Sequence, residues 1–159
     1  MNAKTIIKTL NMLPHPEGGY YKETYRSEHM VQTKYNTIRS AGTVIYFLLE
    51  KNQKSHFHRI QSDETWYFHH GEAMEIVAIL DEKLQCFLLG NNIENGELPQ
   101  ITIPAQTWFA AHLKKAQDYA LVSCSVAPGF EFTEFELAEK EKLLEKFPNL
   151  KDTILTFTS

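Results

Sequence analysis

Cysteine is scarce in this chain. There are 2 in 159 residues, Cys86 and Cys124, too far apart for a C-x-x-C motif. That excludes a disulfide framework or a four-cysteine zinc knuckle. Two thiols read instead as small buried residues in a reducing compartment. Basic charge is also short, with 16 Lys and Arg against 20 Asp and Glu and a net charge of -4. A general nucleic-acid binder would carry a clustered basic patch, so that class is set aside. No stretch approaches the roughly 18 apolar residues of a membrane-spanning helix. The opening "MNAKTIIKTLNML" has too short an apolar run for a secretion signal and no small-residue cleavage site. A cytoplasmic protein is expected, with no membrane and no nucleic acid among its partners. Linkers and low-complexity segments are missing too, so one domain over residues 1–159 is expected.

What is present reads mostly as strands. Residues 2–12 place Ile6, Ile7 and Leu10 at helical spacing, and the "PHPEGG" turn at 14–19 must end that helix. From Tyr20 to Val126 the pattern changes. "YYKETYR", "HFHR" and "TWYFH" alternate, whereas "GTVIYFLLE" and "AMEIVAIL" are apolar nearly throughout, as strands covered on both faces would be. Short strands with turns every 8–12 residues predict an all-β sandwich or barrel. At the C-terminal end, Thr133 and Glu136 form a T-x-x-E capping box ahead of "EFELAEKEKLLEKF", which predicts a helix stopped by Pro148.

Chemistry concentrates in "SHFHRIQSDETWYFHHGE", residues 55–72. Alternation points His56 and His58 the same way, about 7 Å apart along the strand. Glu64 could reach the same space from the next strand. Two histidines and a carboxylate suit a divalent ion such as Fe, Mn, Zn or Ni. Glu64 shares its strand face with Trp66 and Phe68. A carboxylate among aromatics must be hydrogen-bonded, paired or protonated, which makes it a candidate acid, base or ligand anchor. His69 and His70, at the strand end, read as exposed.

The segments "HFHRIQSDETWYFHHG" and "PAQTWF" resemble the first and second cupin motifs. Four ordered motifs, "LPHPEGGYYKETYRS", "GTVIYFLL", "FHRIQSDETWYFHHG" and "IPAQTWFAA", are similar to the cupin_5 family, formerly DUF985. The resemblance implies a double-stranded β-helix, the cupin jelly-roll barrel, with short N- and C-terminal α-helices. It also implies a homodimer and a small-molecule pocket between the two sheets. It implies no single reaction.

The chain departs from the metal-binding pattern. Five residues, not three or four, separate His58 from Glu64, and Phe109 stands where the second motif usually has its ligand histidine. His112, three residues on, has the opposite strand parity.

Three functions follow as expectations. One is a sugar isomerase or epimerase with His58 and Glu64 as acid and base and Tyr20 as a proton donor from another strand. Thr24 and Tyr46 would then line the pocket. Another is a non-catalytic binding module with Trp66, Phe68 and Trp108 as walls and Gln106 as a polar contact. The third is a metal-dependent oxygenase or hydrolase using His56, His58 and Glu64.

Overall fold

The structure is a computed structural model that describes all residues from Met1 to Ser159. A first helix, α1 (Ala3–Thr9), begins where the Asn2 side chain accepts the Thr5 backbone N–H at 2.9 Å. It is shorter than the periodicity predicts. Asn11 takes φ 53° and turns the chain toward the barrel.

Strands follow in the order β1 (Leu13–Pro14), β2 (Tyr20–Arg26), β3 (Met30–Gln32), β4 (Ile38–Ser40), β5 (Thr43–Glu50) and β6 (Lys54–Arg59). They continue as β7 (Asp63–Gly71), β8 (Met74–Leu80), β9 (Lys83–Leu89), β10 (Gln100–Ile103), β11 (Phe109–Leu113), β12 (Tyr119–Ala127) and β13 (Glu136–Leu137). The last two helices are α2 (Lys140–Lys146) and α3 (Lys151–Thr156). One sheet runs β1-β2-β5-β12-β7-β10 and the other β13-β6-β11-β8-β9, all antiparallel, with β3 and β4 as a separate hairpin. This is the expected double-stranded β-helix.

Strand alternation sorts the side chains. Phe47, Leu49, Trp66, Ile76, Phe109, Val122 and Cys124 point between the sheets and form the largest core cluster. Phe47 and Trp66 meet edge to face at 5.6 Å, a favoured aromatic geometry. The continuous apolar runs have the predicted cause. On the outer face of β5, Leu48 is covered by Ala3 and Ile6 of α1. On the outer face of β8, Val77 and Ile79 are covered by Leu143 of α2 and Ile154 of α3.

The C-terminal helix starts later than the capping box predicts. Thr133 lies in a short 3-10 turn, Phe132–Glu134, and Glu136 lies in a strand. The open edge of β6 takes these residues instead. Glu136 pairs with Arg59 and Leu137 with His58, and Arg59 Nε donates to Glu136 Oε2 at 2.7 Å. Satisfying a sheet edge outweighs one helix cap. The helix proper begins at Lys140, with no side-chain cap.

One turn fixes how the barrel mouth is built. Gly18 and Gly19 take φ 111° and 77°. A Cβ on Gly18 would sit 1.9 Å from the Lys54 carbonyl oxygen. The turn therefore lies directly against β6, and the His56 N–H donates to the Glu17 carbonyl at 2.9 Å. Gly18→Ala should cost about 3 kcal/mol or more in urea unfolding, because the clash is with backbone and adds to the φ penalty. Gly96→Ala, at φ 82° with nothing within 4 Å, should cost only about 1 kcal/mol. Equal costs would mean the turn is not docked as described.

Candidate functional site

The Gly-Gly turn delivers Glu17 to the inside of the barrel mouth. Its Oε2 lies 2.8 Å from His58 Nε2, and both side chains are almost fully buried. His58 Nδ1 lies 2.7 Å from the His56 carbonyl oxygen. A carbonyl only accepts, so Nδ1 must carry a hydrogen. The ring is then held from both ends. Phe109 packs on it at 4.3 Å between centroids, and Phe135 stacks on it at 5.4 Å.

Charges decide where the second proton sits. Burial pulls His58 down, but the charge and hydrogen bond of Glu17, with help from Glu64, raise it above the ordinary imidazole value. Burial pushes Glu17 up, yet His58 and His15 together hold it below the ordinary carboxylate value. The pair is therefore an imidazolium and a carboxylate, with both ring nitrogens of His58 donating. His15 differs. Its Nδ1 accepts the Glu17 backbone N–H at 3.1 Å, and burial outweighs the Glu17 charge and lowers it below the ordinary imidazole value.

Glu64 faces the same interior from β7, next to Trp66. Its carboxyl makes no salt bridge, and the buried Trp66 indole N–H lies near it without completing a hydrogen bond. Burial pushes Glu64 up to about 7, the Glu17 charge adds to this, and His58 and Trp66 pull it partly back. The neighbouring Asp63 points outward, where its Oδ1 accepts the Ala105 N–H at 2.8 Å.

Several expected site residues lie elsewhere. Tyr20 and Tyr46 pair into β2 and β5 with the wrong parity for the pocket, and both pack on the outer face beneath α1. Thr24 is exposed beside a register shift, and its hydroxyl donates to the Val44 carbonyl. Trp108 is buried on the opposite outer face, under α2, with the Arg59 guanidinium 4.4 Å from its ring centroid. Gln106 sits in an exposed loop at φ 62° and donates to the Tyr35 hydroxyl. Trp66 and Phe68 do face the barrel interior.

A metal is the cofactor the first motif would suggest, and the donors do not fit it. Both nitrogens of His58 are committed, and His56 Nδ1 donates to the Glu17 carbonyl at 3.1 Å. Phe109 lies directly across from His58 in the β11–β6 register. His112 points to the outer surface, 2.8 Å from Glu75. No three His, Cys, Asp or Glu side chains are grouped to hold an ion.

Reasoning from the sequence missed Glu17 and His15. Both lie in "HPEGG", where the prolines and glycines signalled a turn. A carboxylate inside so constrained a turn was the available clue, because such a turn must dock against something.

The family model described as Cupin_5, cupin superfamily (DUF985), matches residues 4–138. The chain belongs to this family. A solved structure of a hypothetical protein from Leishmania major is similar at 37% identity and TM-score 0.93, over 99% of each chain. A solved Shewanella oneidensis protein is 38% identical, with TM-score 0.91, covering 100% of this cupin and 98% of that chain. An uncharacterized protein of Saccharomyces cerevisiae is 27% identical over 91% of this cupin and 79% of its own length. None of these descriptions states a reaction.

Glu64 makes this cupin's stability depend on pH. The unfolded chain loses that proton near 4.5 and the folded chain near 7. Between these values the folded state binds more protons, so this contribution falls as pH rises and then levels above about 7. Glu64→Gln stays neutral throughout. It should be about 3 kcal/mol more stable than the parent at about pH 8, and no more stable at about pH 4. Urea unfolding at the two pH values checks this. A difference that does not change with pH would contradict it.

Proposed function

We propose that this cupin is an acid–base enzyme of the isomerase or epimerase type, acting on a small neutral polyhydroxy compound such as a sugar. The observation that supports the reading is the buried His58–Glu17 ion pair, placed in one interior with a carboxyl that titrates near neutral pH. Moving a proton beside a carbonyl needs a base for the C–H and an acid for the carbonyl oxygen. Glu64, as carboxylate, takes the carbon-bound proton. The buried imidazolium, whose two N–H groups stay on Glu17 and the His56 carbonyl, stabilises the negative charge that develops on the oxygen, and an enediolate forms. The hydroxyl proton shifts between the two adjacent oxygens of the enediolate, and Glu64 returns its proton to the neighbouring carbon, which gives the isomer and regenerates the site. Glu17 holds the imidazolium in place and stabilises its charge.

The ligand class follows from the lining. The interior carries two carboxyls and one imidazolium, and no lysine or arginine faces it. At the mouth Arg26 is already engaged by Glu23, Glu131 and the Phe130 carbonyl, and Arg39 by Glu134. Such a lining disfavours a phosphate and suits hydroxyls. The free cysteines support a reducing, cytoplasmic setting. The homodimer stays an expectation of the family resemblance.

A non-catalytic binder is the second reading. It is favoured by the Trp66 N–H, a buried donor near Glu64 with no completed hydrogen bond, which a ligand oxygen would satisfy. Neutral sugars and their keto derivatives, incubated with the protein in deuterated water, separate the two. The enzyme reading expects one compound to gain deuterium on carbon, with Glu64→Gln and His58→Asn slowing exchange by about 10²–10⁴-fold. If compounds raise the melting temperature and none exchanges, the binder is right and the enzyme reading fails.

A further inference from the structure

Glu17, His58 and Glu64 are buried, at 5%, 2% and 8% exposure. A cleft of about 210 Å³ is lined by His15, Tyr21, Arg26, Glu131 and Phe132, and none of the three lines it. The cover is the chain segment that crosses the mouth from β12 to β13. Its ends are fastened by backbone. The Gly129 N–H donates to the Ser40 carbonyl at 2.7 Å and the Phe130 N–H to Thr43 Oγ1 at 3.0 Å. At the other end Glu136 and Leu137 join the β6 ladder, and the Ala138 N–H donates to the Phe57 carbonyl.

Residues 131–135 between these anchors are fastened differently. Their backbone hydrogen bonds, Glu134 N–H to Glu131 and Phe135 N–H to Phe132, stay within the segment. The rest of the attachment is by side chains. Arg26 of β2 meets Glu131 at 3.1 Å, and Arg39 of β4 meets Glu134 at 2.6 Å. Inside, Phe132 packs on His15 and Tyr21, and Phe135 on His15 and His58. A five-residue piece held only by side chains, over a buried reactive pair, can move without breaking either sheet.

We propose that residues 131–135 are a strap latched by Arg26–Glu131 and Arg39–Glu134, which swings out to admit a ligand whose apolar face replaces Phe132 and Phe135 against His15, Tyr21 and His58. The ligand class rests on the acid–base reading above. The strap motion does not.

The barrel carries its own reporter. Cys124 is 1% exposed, points into the interior core, and is close enough to Glu64 and Glu17 for their charges to act on it. Its thiol can react only when the interior opens. In a Cys86→Ser background, which removes the exposed thiol, N-ethylmaleimide labelling of Cys124 in native buffer measures opening. Glu131→Gln and Glu134→Gln should each speed labelling about five- to tenfold, and about 1 M sodium chloride should speed the parent. Glu131→Gln breaks a half-exposed pair, so its urea midpoint should match the parent. Glu75→Gln, which breaks contacts to His112 and Lys114 outside the mouth, should label at the parental rate. The proposal is overturned if both strap variants label at the parental rate. It is equally overturned if labelling in every variant simply follows its global unfolding equilibrium. Neither result bears on proton exchange into substrate, so the strap and the chemistry fail separately.

Discussion

The contact between His58 and Glu17 organises the mouth of this barrel. Two buried opposite charges are stable only when their remaining hydrogen-bonding positions are satisfied. His58 meets that condition through its Nδ1–H to the His56 carbonyl. Glu17 is held in place by its backbone carbonyl, which accepts two bonds from His56, at the backbone and at the ring, and so keeps the carboxylate against His58. Bringing the turn so close to β6 demands glycine at 18. Phe135 then completes the enclosure and keeps water from the pair. Loss of either charge would leave the other buried and alone.

The same contact explains why His58 does not suit a metal. A ligand histidine must offer a lone pair, and His58 has both nitrogens donating. Phe109 adds a hydrocarbon surface where another donor would be needed. Glu64, without a cation of its own, keeps its proton to near neutrality. One interior thus holds a paired imidazolium and an unpaired carboxyl.

Fold was legible because period-2 alternation and doubly apolar runs report sheet faces directly. β5 and β8 read as covered on both sides, and helices do cover them. The β3–β4 hairpin escaped notice because "MVQTKYNTIRS" is short and largely polar, with no buried face to impose a pattern. The capping box at Thr133 misled for a different reason. Its residues are helix-compatible locally, but the unpaired edge of β6 is a long-range demand that no local pattern displays.

Half of the candidate site was legible. His58, Glu64, Trp66 and Phe68 follow from parity within single strands. Tyr20 and Tyr46 failed by that same parity, because the face of β2 depends on its register with β5, which no motif fixes. Glu17 comes from a turn, where alternation says nothing. The central claim is that His58 is an imidazolium held by Glu17, and nitrogen-15 NMR of its ring tests this most directly. The account predicts two protonated ring nitrogens that persist above pH 6.5, the ordinary imidazole value, and lose their signature in Glu17→Gln. A ring that titrates near 6.5 to a single N–H, with or without Glu17, would contradict it.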